Sequence, residues 1–215
     1  MPHSRIGTFC VVLGLVAALA TPLWAVEPSE KLLPDTTKGF FSVTNMKNLV
    51  DHWNETQVGK LMKDPIMEPF REDAQRQFEE RWVGVREKLG LTIDDLRGVP
   101  SGEVAVALLQ PGPKQSALVL LADVTGHQEK AAELLKKAAA NLLQQKAVKR
   151  TEKIGGLEVD VFDIPKENPD DEEEPQRHAA LLLHGDLVIV TDSAAAMGAV
   201  LERQAGSDAK SLADV

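Results

Sequence analysis

The sequence predicts an α+β domain: a mostly antiparallel sheet of about six or seven strands with helices packed on it, preceded by a signal peptide. Three observations predict it. The stretch Gly102–Val124 holds two runs of Val, Leu and Ala on either side of Gln110-Pro111-Gly112-Pro113-Lys114-Gln115, whose prolines and glycine interrupt both runs, as in a β-hairpin with a longer loop. Two more hairpins are marked by the pairs Gly155-Gly156 and Gly185-Asp186, because tight hairpin turns require positive φ and glycine supplies it without a steric penalty. Around these strands, apolar residues recur at helical spacing. The resulting order is β-α-α-β-β-α-β-β-β-β-α.

At the N-terminus, Arg5 is the only charge before an apolar run from Ile6 to Ala20, and Thr21-Pro22-Leu23-Trp24-Ala25 places a small residue at a cleavage point between Ala25 and Val26. This pattern implies export to the periplasm or the medium. The alternative is an uncleaved anchor over residues 6–25, although the run is short for a membrane span of about 20 residues. Cys10 follows the bulky Phe9 inside the apolar run, the wrong setting for a lipid-modified cysteine.

Residues 26–38 read as a polar lead-in, and Gly39–Thr44 as a first strand that opens a domain over 39–206. From Asn45, Met46, Leu49, Val50 and Trp53 fall on one helix face and are expected in the core. Gly59–Pro69 breaks the pattern. Phe70, Ala74, Phe78, Trp82, Val85 and Leu89 then mark a long helix ending near Gly90, with a charged, solvated opposite face from Glu72 to Lys88. Thr92–Leu96 resembles a short capped helix.

In the central hairpin, Val104, Val106 and Leu108 point one way and Ala105, Ala107 and Leu109 the other, the pattern of strands covered on both faces, with alanines leaving room for a helix. Thr125 and Gln128 have capping-box spacing ahead of a helix with Ala131, Leu134, Leu135, Ala138 and Leu142 on its apolar face. Val148–Ile154 carries Lys149, Arg150, Glu152 and Lys153, a polarity suited to a sheet edge, and pairs with Leu157–Ile164. An acidic loop at 166–175 follows, then strands Ala179–His184 and Leu187–Thr191. Asp192-Ser193 caps a last helix carrying Met197, Val200 and Leu201. Residues 207–215 read as a linker or the start of a missing second unit.

Composition excludes several activities. The net charge is −9, and removing the leader takes away a base and no acid, so a nucleic-acid polyanion would be repelled; the chain also has no tyrosine to stack bases. Its one cysteine lies in the leader, which removes disulfides, thiolate metal sites and a cysteine nucleophile from the mature chain. No Gly-x-Ser-x-Gly, phosphate-loop or dinucleotide fingerprint occurs, and no cofactor is implied. The five histidines lack zinc-protease spacing. His178 and His184 share strand parity, but six residues of extended chain, about 20 Å, keep them from gripping one metal.

Two weak sites remain. Glu158 and Asp160 share a strand face at about 7 Å, a separation usable for carboxylate acid and base chemistry on a glycoside. Alternating acids on a strand are also the ordinary composition of a wet face. Asp170, Asp171, Glu172, Glu173 and Glu174 offer hard oxygen ligands for a divalent ion but lack the spacing and glycine of an EF-hand loop.

Leu32-Leu33-Pro34-Asp35-Thr36, Gln57-Val58-Gly59-Lys60-Leu61-Met62-Lys63-Asp64-Pro65, Leu89–Leu96 and Ser101–Leu108 together resemble a bacterial family of unknown function, over roughly Leu32 to Val215. The resemblance implies an exported or membrane-anchored protein, usually longer and carrying a second related half. It supplies no catalytic residues. Ser211–Val215 resembles the entry into such a second unit, so a fragmentary chain is the expectation, although no internal repeat is evident.

The combined expectation is a non-enzymatic binding or scaffolding domain of the cell envelope. Its partner would be another protein or its own missing C-terminal half, with no nucleic acid, and a membrane only through an uncleaved leader. A carboxylate-dependent hydrolase is the alternative. N-terminal sequencing of the protein from fractionated host cells is expected to read Val26 first in a soluble fraction; Met1 in the membrane fraction would make residues 6–25 an anchor.

Overall fold

A computed structural model describes residues 26–77, 98–113, 115–166 and 176–215. The leader with its Ala25/Val26 cleavage point, the long helix beyond position 77, the short helix at 92–96 and the acidic residues Asp170–Glu174 lie wholly or partly outside the described residues.

Seven antiparallel strands form one sheet, and the expected α+β class and strand number are observed. They are β1 (Thr37–Val43), β2 (Val104–Gly112), β3 (Gln115–Asp123), β4 (Val148–Ile154), β5 (Leu157–Ile164), β6 (Arg177–His184) and β7 (Leu187–Thr191). In space the order is β1-β2-β3-β7-β6-β5-β4. Two meanders, β1-β2-β3 and β4-β5-β6-β7, are therefore joined along β3 and β7. One row of paired residues, Phe40, Ala107, Val119, Thr191, Ala180, Val161 and Arg150, crosses all seven strands.

Turn chemistry sets much of this register. Gly155 and Gly156 both have positive φ, so Ile154 pairs with Leu157 and every β4–β5 partner follows from a two-residue turn. Gly185 does the same for His184 and Leu187. The β2–β3 connection is tighter than its sequence suggests. Both strands continue until Gly112 pairs with Gln115, and Pro111 falls in an irregularity after Leu109, where a missing N–H is tolerated.

The helices sort onto the two faces. α1 (Ser29–Leu32) and α5 (Ala194–Gln204) share a cluster with the alanine face of the sheet: Leu32, Leu33, Met197, Val200 and Leu201 pack with Ala105, Ala107, Ala117, Val119, Val161 and Ile189. The small sheet residues let these larger side chains approach, and each fully buried Leu, Val or Met contributes roughly 1.5–3 kcal/mol. α5 is capped as expected, with Ser193 Oγ accepting from Ala196 N–H at 3.3 Å.

The other face receives α4 (Gln128–Gln144). Ala138 and Leu142 pack with Phe162, Ala179 and Leu181, while Ala131 packs with Ala122, Val124 and Val188. Its start differs from the expected Thr125 capping box. Thr125 instead bonds Asp123 Oδ1 through its backbone N–H and its hydroxyl at 2.9 and 2.6 Å, and His127 becomes the N-cap without a side-chain cap. The His127 ring is directed elsewhere, with Nδ1 donating to the Val99 carbonyl at 3.1 Å.

At its other end α4 closes in a Schellman motif. Ala147 N–H donates to the Leu142 carbonyl and Lys146 N–H to the Leu143 carbonyl, both at 3.0 Å. Ala147 and Leu142 also share a core cluster, the apolar contact that accompanies this motif. The left-handed position belongs to Lys146, with φ 65°, where glycine is usual. A side chain there costs about 1–2 kcal/mol.

Between β1 and β2 lies a helical excursion containing α2 (Met46–Glu55), α3 (Gln57–Met62) and a helical stretch over 68–77. Asn45 caps α2, accepting from Asn48 N–H at 2.9 Å, and Thr56 caps α3, accepting from Gly59 N–H at 2.9 Å. The spacing predicts the α2 stripe in the core, and its residues Leu49, Val50 and Trp53 lie outside it. All three are about half exposed, and Phe70 is exposed as well. The spacing does produce an amphipathic helix, but the cores on both sides of the sheet are built from α1, α4 and α5.

The segments that flank the sheet meet. Pro34 bridges Ser211, and Leu212 N–H donates to the Leu33 carbonyl at 2.8 Å, so residues from the 26–38 lead-in and the 207–215 segment lie together over the α5 side.

Gly155→Ala is expected to destabilise the protein by about 1–3 kcal/mol, read by urea unfolding. A Cβ at that position would add positive-φ strain and sit 2.9 Å from Leu201 Cβ. Gly185→Ala, with φ 59° but open space around it, is expected to cost less.

Candidate functional site

Two charged side chains and an imidazole converge where β4, β5 and β6 leave the cover of α5. Asp163 on β5 lies directly opposite His178 on β6 and diagonally across from Arg150 on β4. His178 Nδ1 donates to Asp163 Oδ1 at 2.7 Å, and Arg150 Nε donates to both carboxylate oxygens at 3.2 and 3.1 Å. Arg150 also pairs with Glu152. All four side chains are about one-third exposed.

Burial pushes the Asp163 carboxyl up, but the hydrogen bonds and charges of His178 and Arg150 outweigh it and bring its pKa below the ordinary 3.8. An ionised Asp163 accepts the Nδ1 proton, so the tautomer of His178 is set and Nε2 is the ring's remaining polar atom. The cluster borders an open depression of about 610 Å³, completed by Lys146, Val148, Pro165 and Gln176. Gln176 is held by its own amide, which donates to the Ile164 carbonyl at 2.6 Å. Among the described residues no serine, threonine or cysteine lines the depression.

The other sequence candidates occupy different positions. Glu158 and Asp160 lie on the opposite face of β5, where Asp160 accepts an ion pair from Lys149 Nζ at 2.8 Å and Glu158 is paired in register with Lys153. His184 is exposed at the β6–β7 turn, whereas His178 is part of the cluster. Among the described residues no group of three or more His, Cys, Asp or Glu is placed to share a metal ion. No helix among them is long and apolar enough to cross a membrane.

A second surface stands out by its composition. On the face carrying α4, the β1–β3 half of the sheet exposes Phe41 (67%), Val106 (36%), Leu108 (46%) and Leu118 (51%). Phe41 is paired with Val106 and Leu108 with Leu118, so the four residues are neighbours on three adjacent strands. The central hairpin is thus covered on its alanine face and only partly on its valine and leucine face, in contrast to the two-sided cover expected of it. α4 reaches β7, β6 and β5, and its packing partners on the first meander are Val104, Leu120 and Ala122.

No family model matches the chain, and no curated protein and no solved structure matches it.

Because Asp163 has a lowered pKa in the folded protein, its contribution to stability is present above about pH 4 and is lost as pH falls through that lowered value. Asp163→Asn is expected to lower stability at neutral pH and to flatten the acid limb of a Tm-against-pH curve below pH 4. Asp73 and Asp214, whose carboxyls are also lowered by hydrogen bonds from Arg76 and Gln77 and from Ser211, would carry the slope that remains.

Proposed function

We propose that the chain is an exported, non-enzymatic binding domain of the cell envelope that docks another protein on the apolar β1–β3 face. The observation that carries this reading is the exposed group Phe41, Val106, Leu108 and Leu118. Contiguous apolar surface of this kind on a soluble domain marks an interaction site, whereas singly scattered apolar residues do not. From Val104 to Leu108 and from Leu118 to Ala122, no charged side chain interrupts the exposed face. A partner can cover it without stripping water from an ion. Phe41 of the patch lies on the edge strand β1, so an added strand would gain ladder hydrogen bonds and aromatic contact together.

Export rests on Arg5, the Ile6–Ala20 run and the small residue Ala25. The resemblance to exported or anchored proteins points the same way. Anchoring by residues 6–25 is the variant of this reading in which the same face works next to a membrane.

The test is a photo-crosslinking residue at Leu108 in the native host. A single protein adduct is expected from the envelope fraction, and Leu118→Glu is expected to abolish it while changing stability by no more than about 0.5 kcal/mol, since the side chain is half exposed. Absence of any adduct, or an adduct unaffected by Leu118→Glu, would overturn the proposal.

A further inference from the structure

A different part of the molecule carries its own inference. Lys146 occupies a left-handed position that glycine would fill without strain, and its ammonium has no hydrogen-bond or ion-pair partner among the described residues. Backbone strain retained at one residue is a reason to ask what its side chain does. Lys146 lines the same depression as Arg150 and His178. Arg150 and His178 are already oriented by Asp163, so their polar atoms need no reordering when a ligand arrives.

We propose that this depression binds a small oxyanion, a carboxylate or a phosphate, with Lys146 as its principal charge contact and His178 Nε2 as its second. Arg150 is shared between Asp163 and Glu152, which leaves Lys146 as the lining cation without a partner among the described residues. His178 suits either oxyanion. It donates from Nε2 when the ring is doubly protonated and accepts a P–O–H proton when the ring is neutral. Val148, 65% exposed, and Pro165 form an apolar wall that would take a short organic stem. Asp163 is a positioning residue here, since it acts on the ligand only through His178 and Arg150.

The experiment is an NMR titration of the purified chain with inorganic phosphate and, separately, with acetate, following the His178 ring and the Lys146 side chain. Saturable shifts at both residues with at least one probe are expected, and the tighter probe identifies the class of oxyanion. Lys146→Gly is expected to raise Tm by removing the strain, yet to weaken binding about tenfold or more. His178→Gln is expected to weaken binding while leaving Lys146 shifts detectable at high probe concentration. Lys136→Ala, on the exposed side of α4, is expected to leave affinity unchanged. Linear, non-saturating shifts in the parent protein would overturn the proposal, as would a Lys146→Gly variant that binds as tightly as the parent.

Discussion

The pairing of β3 with β7 is the constraint on which the architecture depends. Every other pair in the sheet joins strands consecutive in the chain, whereas this one unites two meanders across an intervening helix and three strands. Its ladder from Val119–Thr191 to Asp123–Leu187 is extended at both ends. Val124 N–H donates to the Asp186 carbonyl at 2.8 Å, and Leu118 N–H donates to Asp192 Oδ1 at 2.9 Å across 74 positions of sequence. Without this seam, α5 would have no common surface to lie on, because its contacts extend from β2 through β3 and β7 to β4. Among the strand pairs the seam is also the costliest to form, since a long loop must close before its hydrogen bonds contribute.

The seam also explains why the two faces are unequal. α5 and α1 lie over the junction on the alanine face, where Ala105, Ala107, Ala117 and Ala180 keep the sheet surface low. α4 has to travel from β3 to the far edge strand β4, and that path takes it over β7, β6 and β5. Much of the first meander on that side is left bare as a consequence of the crossover. Function, in the reading argued above, occupies the surface that the connection leaves open.

Local chemistry made much of this legible in the sequence. The Gly-Gly and Gly-Asp turns announced two hairpins and their register, and Ser193 announced the α5 cap. The alternation through Val104–Leu109 identified two faces but could not say how completely each is covered, because cover depends on where the crossover runs. The α2 stripe misled for a related reason: periodicity reveals an apolar side, while burial requires a partner that only the tertiary structure supplies. The Asp163 cluster was hidden differently. Arg150 and Asp163 could be brought together by counting from Gly155-Gly156, but His178 lies beyond the acidic loop, which is too long for a two-residue turn to set the β5–β6 register. Lys146 was invisible, since nothing in its neighbours announces that a lysine must take a glycine's conformation.

The two borders of the sheet differ in a way that limits what the molecule can build. β4 ends the sheet with Lys149, Arg150, Glu152 and Lys153, charges that would have to be desolvated or opposed if a strand were added beside them. β1 ends it with Gly39, Phe40 and Phe41 beside a single charge at Lys38, a lower barrier. A body with one permissive border can accept a single added strand, or meet a copy of itself once about a two-fold axis, and growth then stops. Fibrous polymerisation through sheet extension needs two permissive borders per molecule, and among the described residues only the β1 border is weakly charged.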